Sequence, residues 1–395
     1  MIRRFLSSLL SMAVVVALSG AGLEPAVAAA DSDGCSLAQS EISPETVIAP
    51  CSKIIADGTT SPADRGYALF IRGKGYHSTK RFDLAGQDYD AAIVLTPTNE
   101  ELLVSRANIA FRGGQYKEGL SFLQGALALN PSNGHALRTV GALSADAGHR
   151  EEANRYYAMA LAADPNDAYA LLFRSENNIM LRQFDEALKD ADALVALAPA
   201  AINRQGYLDG YGDRLDFHGL ALTTRADIYE ALGQPDRAEQ DLNAAVDYRR
   251  SAQSLSARGK FLAYKAGREK QALSELDEAI ALGRVDSQAF YAKGVLHVGL
   301  RQHQMALAAF DRALEINPQF AYALRMRARM HRQLDQTELA VADMTHAVAL
   351  SDKVLRETMP ALSAAGYWRS REVPDALTSE FKDAIRACML DKTCN

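Results

Sequence analysis

The residues of this chain with the most chemistry in reach are four cysteines, eight histidines and a few close groups of carboxylates. The cysteines fall into two sequence-local pairs, Cys35 with Cys51 and Cys388 with Cys394, with none between. Four cysteines allow three pairings. Short loops that each close at one end of the chain favour the local one, and an oxidising compartment would form both bonds. A zinc site would require the two pairs to converge over the whole intervening chain, so no metal is expected. The aspartates Asp209, Asp213 and Asp216 lie among Gly206, Tyr207, Gly210, Tyr211, Gly212 and Phe217. They miss the ligand alternation of a calcium loop at Tyr211. Glu151 and Glu152 open a helical stretch, where carboxylates complement the helix dipole. No Gly-rich phosphate loop, His-Glu-x-x-His helix or Gly-x-Ser-x-Gly elbow occurs. No catalytic residue, cofactor or enzymatic activity is therefore expected.

The elements that must position these residues are announced by proline. Pro97, Pro131, Pro165 and Pro199 recur every 34 residues, and the units they close begin at Gly66, Glu100, Gly134 and Ala168. A second series begins at Gly219, Gln253, Ser287 and Ala321, again 34 apart. Each unit holds two apolar-periodic stretches, which reads as two antiparallel helices. Position 20 is Ala85, Gly119, Ala153, Ala187, Ala238, Ala272, Ala306 and Ala340; position 27 is alanine in every unit except at Leu194. Small residues there let helices approach closely. Position 7 is Arg72, Arg106, Arg174, Arg225 and Arg327, and position 23 is Asp88, Asp190, Asp241 and Asp343. Every unit with the aspartate also has the arginine, so an ion pair between the two helices of one unit is expected, setting register more than stability.

With glycine or alanine at position 8, tyrosine at 11, alanine at 20 and 27, an aromatic at 24 and proline at 32, residues 66–354 resemble the tetratricopeptide repeat family. Gly73, Tyr76, Ala85, Tyr89, Ala92 and Pro97 carry the likeness in the first unit, and Gly294, Ala306, Phe310, Ala313 and Pro318 in the seventh. The resemblance implies an all-α solenoid of about eight helix pairs, a scaffold for protein or peptide partners. It also implies a concave face lined by first helices, with positions 2, 5, 9 and 12 pointing into it. On those positions stand Tyr67, Phe70, Lys74, Asn108, Phe111, Tyr169, Glu176, Phe261, Tyr264, Tyr291, Arg325, Arg329 and Arg332, the candidate partner-binding residues. His297 and His331 occupy position 11 and read as framework.

The ends suggest a compartment and two caps. Arg3 and Arg4, the apolar run Phe5 to Leu18 and the small residues Ala26 to Ala30 read as a secretory leader over 1–30, so a secreted or periplasmic location is expected. A helical cap is expected over 31–65, starting near Pro44. The Gly/Tyr-rich insert 202–218 separates units 66–201 from units 219–354. Residues 355–395 read as a second helical cap. Ala364-Ala365-Gly366-Tyr367-Trp368 in that tail faintly resembles a helical peptidoglycan-binding repeat, which implies retention on the cell wall as an alternative function. The net charge of −6 disfavours nucleic acid, and no apolar run after the leader is long enough to span a membrane.

Overall fold

The computed structural model describes residues 34–35, 46–197, 217–283, 285–369, 378–391 and 394. The expected leader, residues 202–216 of the insert and residues 370–377 of the tail lie outside them. Among the described residues there are nineteen helices and no strand. The chain divides into two compact units, Met1–Gln234 and Pro235–Asn395.

The first unit opens with α1 (Ile48–Ala56), which packs on α2 (Pro62–Ser78) and is tied by the Cys35–Cys51 disulfide. Helix pairs follow: α2 with α3 (Phe82–Leu95), α4 (Glu100–Arg112) with α5 (Tyr116–Leu129), α6 (Gly134–Asp146) with α7 (Arg150–Ala163), and α8 (Ala168–Met180) with α9 (Phe184–Ala196). Helix α10 (Phe217–Ala231) ends the unit, packed on α9 and α8. The second unit begins with α11 (Pro235–Tyr248), followed by α12 (Ala252–Leu262) with α13 (Glu269–Leu282), α14 (Ser287–Gly299) with α15 (His303–Ile316), and α16 (Ala321–Gln333) with α17 (Thr337–Leu350). Two cap helices close it, α18 (Asp352–Ala364) and α19 (Ser379–Leu390), both packed on α17.

Four repeats start where their predecessor supplies a cap. Asn99, Asn133, Asp167 and Asp286 stand at position 34 and accept from the backbone N–H groups of Leu102, Ala136, Ala170 and Ala289 at 2.8–3.0 Å. Each thereby satisfies a donor that the first turn leaves orphaned. The turn inside each repeat uses a left-handed residue at position 15. Gly114, Gly148, Gly233 and Gly267 adopt it freely, while Lys80, Arg182, Arg301 and Asp335 adopt it with φ near 60°. A side chain there is strained by roughly 1 kcal/mol. The alanines at positions 20 and 27 are fully buried in every repeat. Helix approach is also close at position 8: a Cβ on Gly73, Gly141 or Gly294 would come within 2.5–2.6 Å of the ring of Tyr89, Tyr157 or Phe310.

The expected ion pairs form at Arg72–Asp88, Arg174–Asp190 and Arg327–Asp343, each bidentate with bonds of 2.6–2.8 Å. The structure adds a second task for position 7, a bond to position 25 of the preceding repeat. Arg106 bonds Asp90, Arg225 bonds Asp192, Lys293 bonds Asp277 and Arg327 bonds Asp311, at 2.5–2.8 Å. The sixth repeat makes both bonds from one residue earlier: Arg258 holds Glu275 and Asn243, and Gly259 rather than residue 260 meets the position-24 side chain, Leu276. Its first helix is thus shifted by one residue in register, beginning at Ala252.

Candidate functional site

The first-helix face of the first unit carries a connected polar surface. His135 on α6 sits between two repeats: its Nδ1 lies 3.0 Å from Glu101 Oε1 and its Nε2 3.2 Å from Asn108 Nδ2, both on α4. Arg138 is paired with Asp167, and its guanidinium lies 5.3 Å from the ring centre of Tyr169. On α2 the Lys74 ammonium rests 4.5 Å over the Phe70 ring. Next to this surface a depression of about 370 Å³ is lined by Glu101, Asn133, His135, Arg138, Asp164 and Asp167.

Charge organises that face. Burial pushes the Lys74 amine down, with Glu101 opposing. His77 is pushed down to about 4 by burial and by the nearby positive charges of Arg112, His135 and Lys74. Burial alone would raise Glu101; the hydrogen bond from His135 and the charges of His135, Lys74 and Arg138 outweigh it and bring the carboxyl to about 2. Further along, the protein packed around the Glu176 carboxyl and the charge of Asp227 raise its pKa, although the residue keeps surface open to solvent. Both ring nitrogens of His135 are engaged, so the cluster offers fixed recognition groups rather than an activated nucleophile. Among the described residues no group of histidine, cysteine and carboxylate side chains could hold a metal.

In the second unit the first helices present Tyr264, which is 66% exposed, and Tyr291, which packs between Phe310 and Phe320 with centroids 5.9 and 5.0 Å away. Arg325, Arg329 and Arg332 form one stripe on α16. Arg325 bonds Glu357 of α18, and Arg332 donates to the Cys394 carbonyl, both at 2.5 Å. The stripe is therefore partly covered by the chain's own cap.

Three of the thirteen candidates are buried, which changes what they can do. Phe70 and Phe261 keep 6% and 3% of their surface exposed. Phe261 is inward because of the register shift in the sixth repeat, which turns its expected face position into a packing one. Arg332 is buried because the tail ends on it. Phe111 leans on Gly119, half-buried, while Tyr67, Lys74, Asn108 and Tyr169 are half-buried on the first unit's face and Glu176 is exposed there. Glu101, His135 and Arg138 were missed, although they occupy positions 2, 2 and 5 of the same rule. Taking every side chain at those positions would have found them.

Tetratricopeptide-repeat family profiles match residues 221–251, 262–319 and 291–353. Residues 221–251 and 262–353 carry tetratricopeptide repeats. Tetratricopeptide repeat protein 6 of Homo sapiens is 31% identical over 109 residues, which is 28% of this chain and 21% of that protein. The match thus spans about a fifth of the relative's length. Among solved structures, the APC/C hetero-tetramer Cut9–Hcn1 superposes with a TM-score of 0.55 over 89% of this chain and 59% of that chain, at 12% identity, a likeness of fold alone. A tetratricopeptide repeat protein from Parabacteroides merdae ATCC 43184 covers 67% of this chain and 98% of its own at 17% identity, with a TM-score of 0.49. Tetratricopeptide repeats are interaction modules, and the polar first-helix faces are where such repeats have side chains to offer.

Proposed function

We propose that this protein is a non-catalytic scaffold of an extracytoplasmic compartment, holding an extended segment of a partner protein on the first-helix face of its first unit. The observation that carries this reading is the cross-repeat cluster of Glu101, Asn108 and His135, continued by Lys74 on one side and Arg138 with Tyr169 on the other. Side chains from four successive repeats line one strip of hydrogen-bonding and aromatic groups, half-buried except at the buried Arg138, which suits an extended chain better than a compact ligand. Two disulfides and the secretory pattern at the N-terminus support the compartment. Wall retention gains nothing from the tail: the Trp368 ring stacks edge-on against Phe381 at 4.9 Å, and Tyr367 donates to Asp391. Those aromatics are spent on packing the cap.

A photo-crosslinking side chain placed at Asn108 or Lys74 of the full-length chain tests the reading in intact cells. Specific adducts from these positions, absent when the probe sits at Glu151 on a second helix, are the expected result. Equal labelling from both faces would sink it. Cell fractionation tests the compartment, and a full-length chain with free thiols in the cytoplasm would refute that part.

A further inference from the structure

The depression beside the first unit's face has hydrogen-bonding capacity that the chain leaves over. It measures about 370 Å³, and its charged lining is Glu101 on α4, His135 and Arg138 on α6, and Asp164 and Asp167 between α7 and α8. Three carboxylates stand against one guanidinium, so the lining is negative whether or not His135 carries a proton. Arg138 is itself held by Asp167. Burial opposes the charge on Glu101, but His135, Lys74 and Arg138 outweigh it and bring the carboxyl to about 2, so it is an anion at neutral pH.

Two carboxylate oxygens and one amide are left over in this lining. Glu101 is bonded through Oε1, to His135, and Asp164 through Oδ1, to the Asn166 backbone N–H at 2.9 Å. Among the described residues nothing pairs with Glu101 Oε2 or Asp164 Oδ2. Asn133 also lines the depression and is only 9% exposed. Its Oδ1 caps α6 by accepting from the Ala136 N–H at 2.8 Å, and no described residue accepts from its Nδ2. An amide in so buried a side chain gains from an acceptor brought to it.

The arrangement narrows the ligand. The carboxylates share a depression without converging on a point, since among the described residues no group of histidine, cysteine and carboxylate side chains could hold a metal. An organic cation with some reach suits them, and Asn133 asks for a carbonyl beside it. A basic residue inside a peptide supplies both. Liquid water takes about 30 Å³ a molecule, so the depression holds roughly twelve water volumes, enough for an arginine or lysine residue. From the leftover oxygens and the buried amide, we infer that the depression receives a basic side chain of the partner segment. Its cation is held by the Glu101 and Asp164 carboxylates, and its backbone carbonyl accepts from Asn133 Nδ2. The inference rests on the scaffold reading for its partner and adds which kind of residue that partner brings.

Calorimetric titration of the full-length, oxidised protein tests it with blocked pentapeptides, alanine throughout except for a central arginine, lysine, citrulline or glutamate. The arginine or the lysine peptide should bind, while the citrulline peptide, which keeps the shape without the charge, and the glutamate peptide bind at least about tenfold more weakly. Whichever basic peptide binds more tightly names the residue. Asp164→Asn keeps an oxygen for the Asn166 N–H and should weaken that peptide at least about tenfold, with the fold intact by circular dichroism. Asn133→Ser keeps an oxygen cap for α6, removes the amide, and should weaken it as well. Citrulline or glutamate matching the basic peptides, no binding of either basic peptide at millimolar concentration, or indifference to Asp164→Asn would each overturn the inference. The two readings fail separately: face-specific adducts from Asn108 with no binding of the basic peptides would sink this inference alone, and basic-peptide binding without face-specific adducts would sink the scaffold reading alone.

Discussion

The same repeat positions do opposite things in the two units. On α4 and α6 of the first unit, positions 2 and 9 carry Glu101, His135 and Asn108, and the chain satisfies them itself by bonding repeat to repeat. On α16 of the second unit, positions 5, 9 and 12 carry three arginines, and two of them turn to the chain's own cap, Arg325 to Glu357 and Arg332 to the Cys394 carbonyl. A face that is internally paired has its groups pre-positioned, so recognition there trades hydrogen bonds already made. The arginine stripe is tied instead to the cap that ends the unit, so its groups brace that end. Repeats thus share a framework and differ in where each face finds its partners.

The sharpest check is whether the framework really is common. Asp190→Ala in the first unit and Asp343→Ala in the second each leave a partly buried arginine without its bidentate partner, and each should cost about 3 kcal/mol in urea unfolding. A loss in one unit and not the other would mean that the contrast lies in the frame rather than in the faces. Next in size are the disulfides. Loop-closure arguments give about 3 kcal/mol for the 16-residue Cys35–Cys51 loop and about 2 kcal/mol for the 6-residue Cys388–Cys394 loop. Reducing the second should also raise protease cleavage near α19 while leaving the first unit's peptides protected, read by limited proteolysis and mass spectrometry.

A pH titration separates the faces further. His77 has a folded-state pKa of about 4 against 6.5 for a free histidine, so between these values the unfolded chain holds the extra proton. Its contribution to stability is present above about pH 6.5 and is lost as pH falls through about 4. Unfolding of His77→Gln should show a shallower loss over that window, and an unchanged slope would show that His77 is not held neutral. The smallest effect sharpens the frame again: Arg182→Gly in the first unit and Arg301→Gly in the second relieve a left-handed side chain, and each should stabilise by about 0.5–1 kcal/mol. A destabilisation would mean that those arginines make contacts worth more than the strain.

The repeat frame was legible because it is written in small residues at fixed spacing: alanine at 20 and 27, glycine at 8, proline at 32. Those choices are forced by close helix approach, and each is repeated several times. The within-repeat ion pair was legible for the same reason. The bond from position 7 to the preceding repeat was not, because its partners Asp90, Asp192, Asn243, Asp277 and Asp311 include an asparagine and vanish in other repeats. The turn at position 15 was hidden wherever lysine, arginine or aspartate stands in for glycine. The one-residue slip of the sixth repeat escaped notice because Arg258 and Gly259 both move together, which keeps the contacts and breaks the count. Helix α18 was obscured by Pro360 inside it. The recognition faces were only half legible, since position tells which side chains stand on the face while neutralisation depends on partners one repeat or sixty residues away, as with Arg332 and Cys394.

The bonds from position 7 to the preceding repeat have a mechanical consequence. They run as a ladder through the second unit, where Arg258, Lys293 and Arg327 each grip the repeat before them. At the junction of the second and third repeats the rung is missing, because Gln124 and Val140 stand where the acid and the base would be. There His135 of the third repeat is bonded to Glu101 and Asn108 of the second. A partner that borrows His135 therefore borrows a coupling between springs. A partner that took up His135 would loosen that junction, and a load that pulled the two repeats apart would in turn offer His135 to the partner.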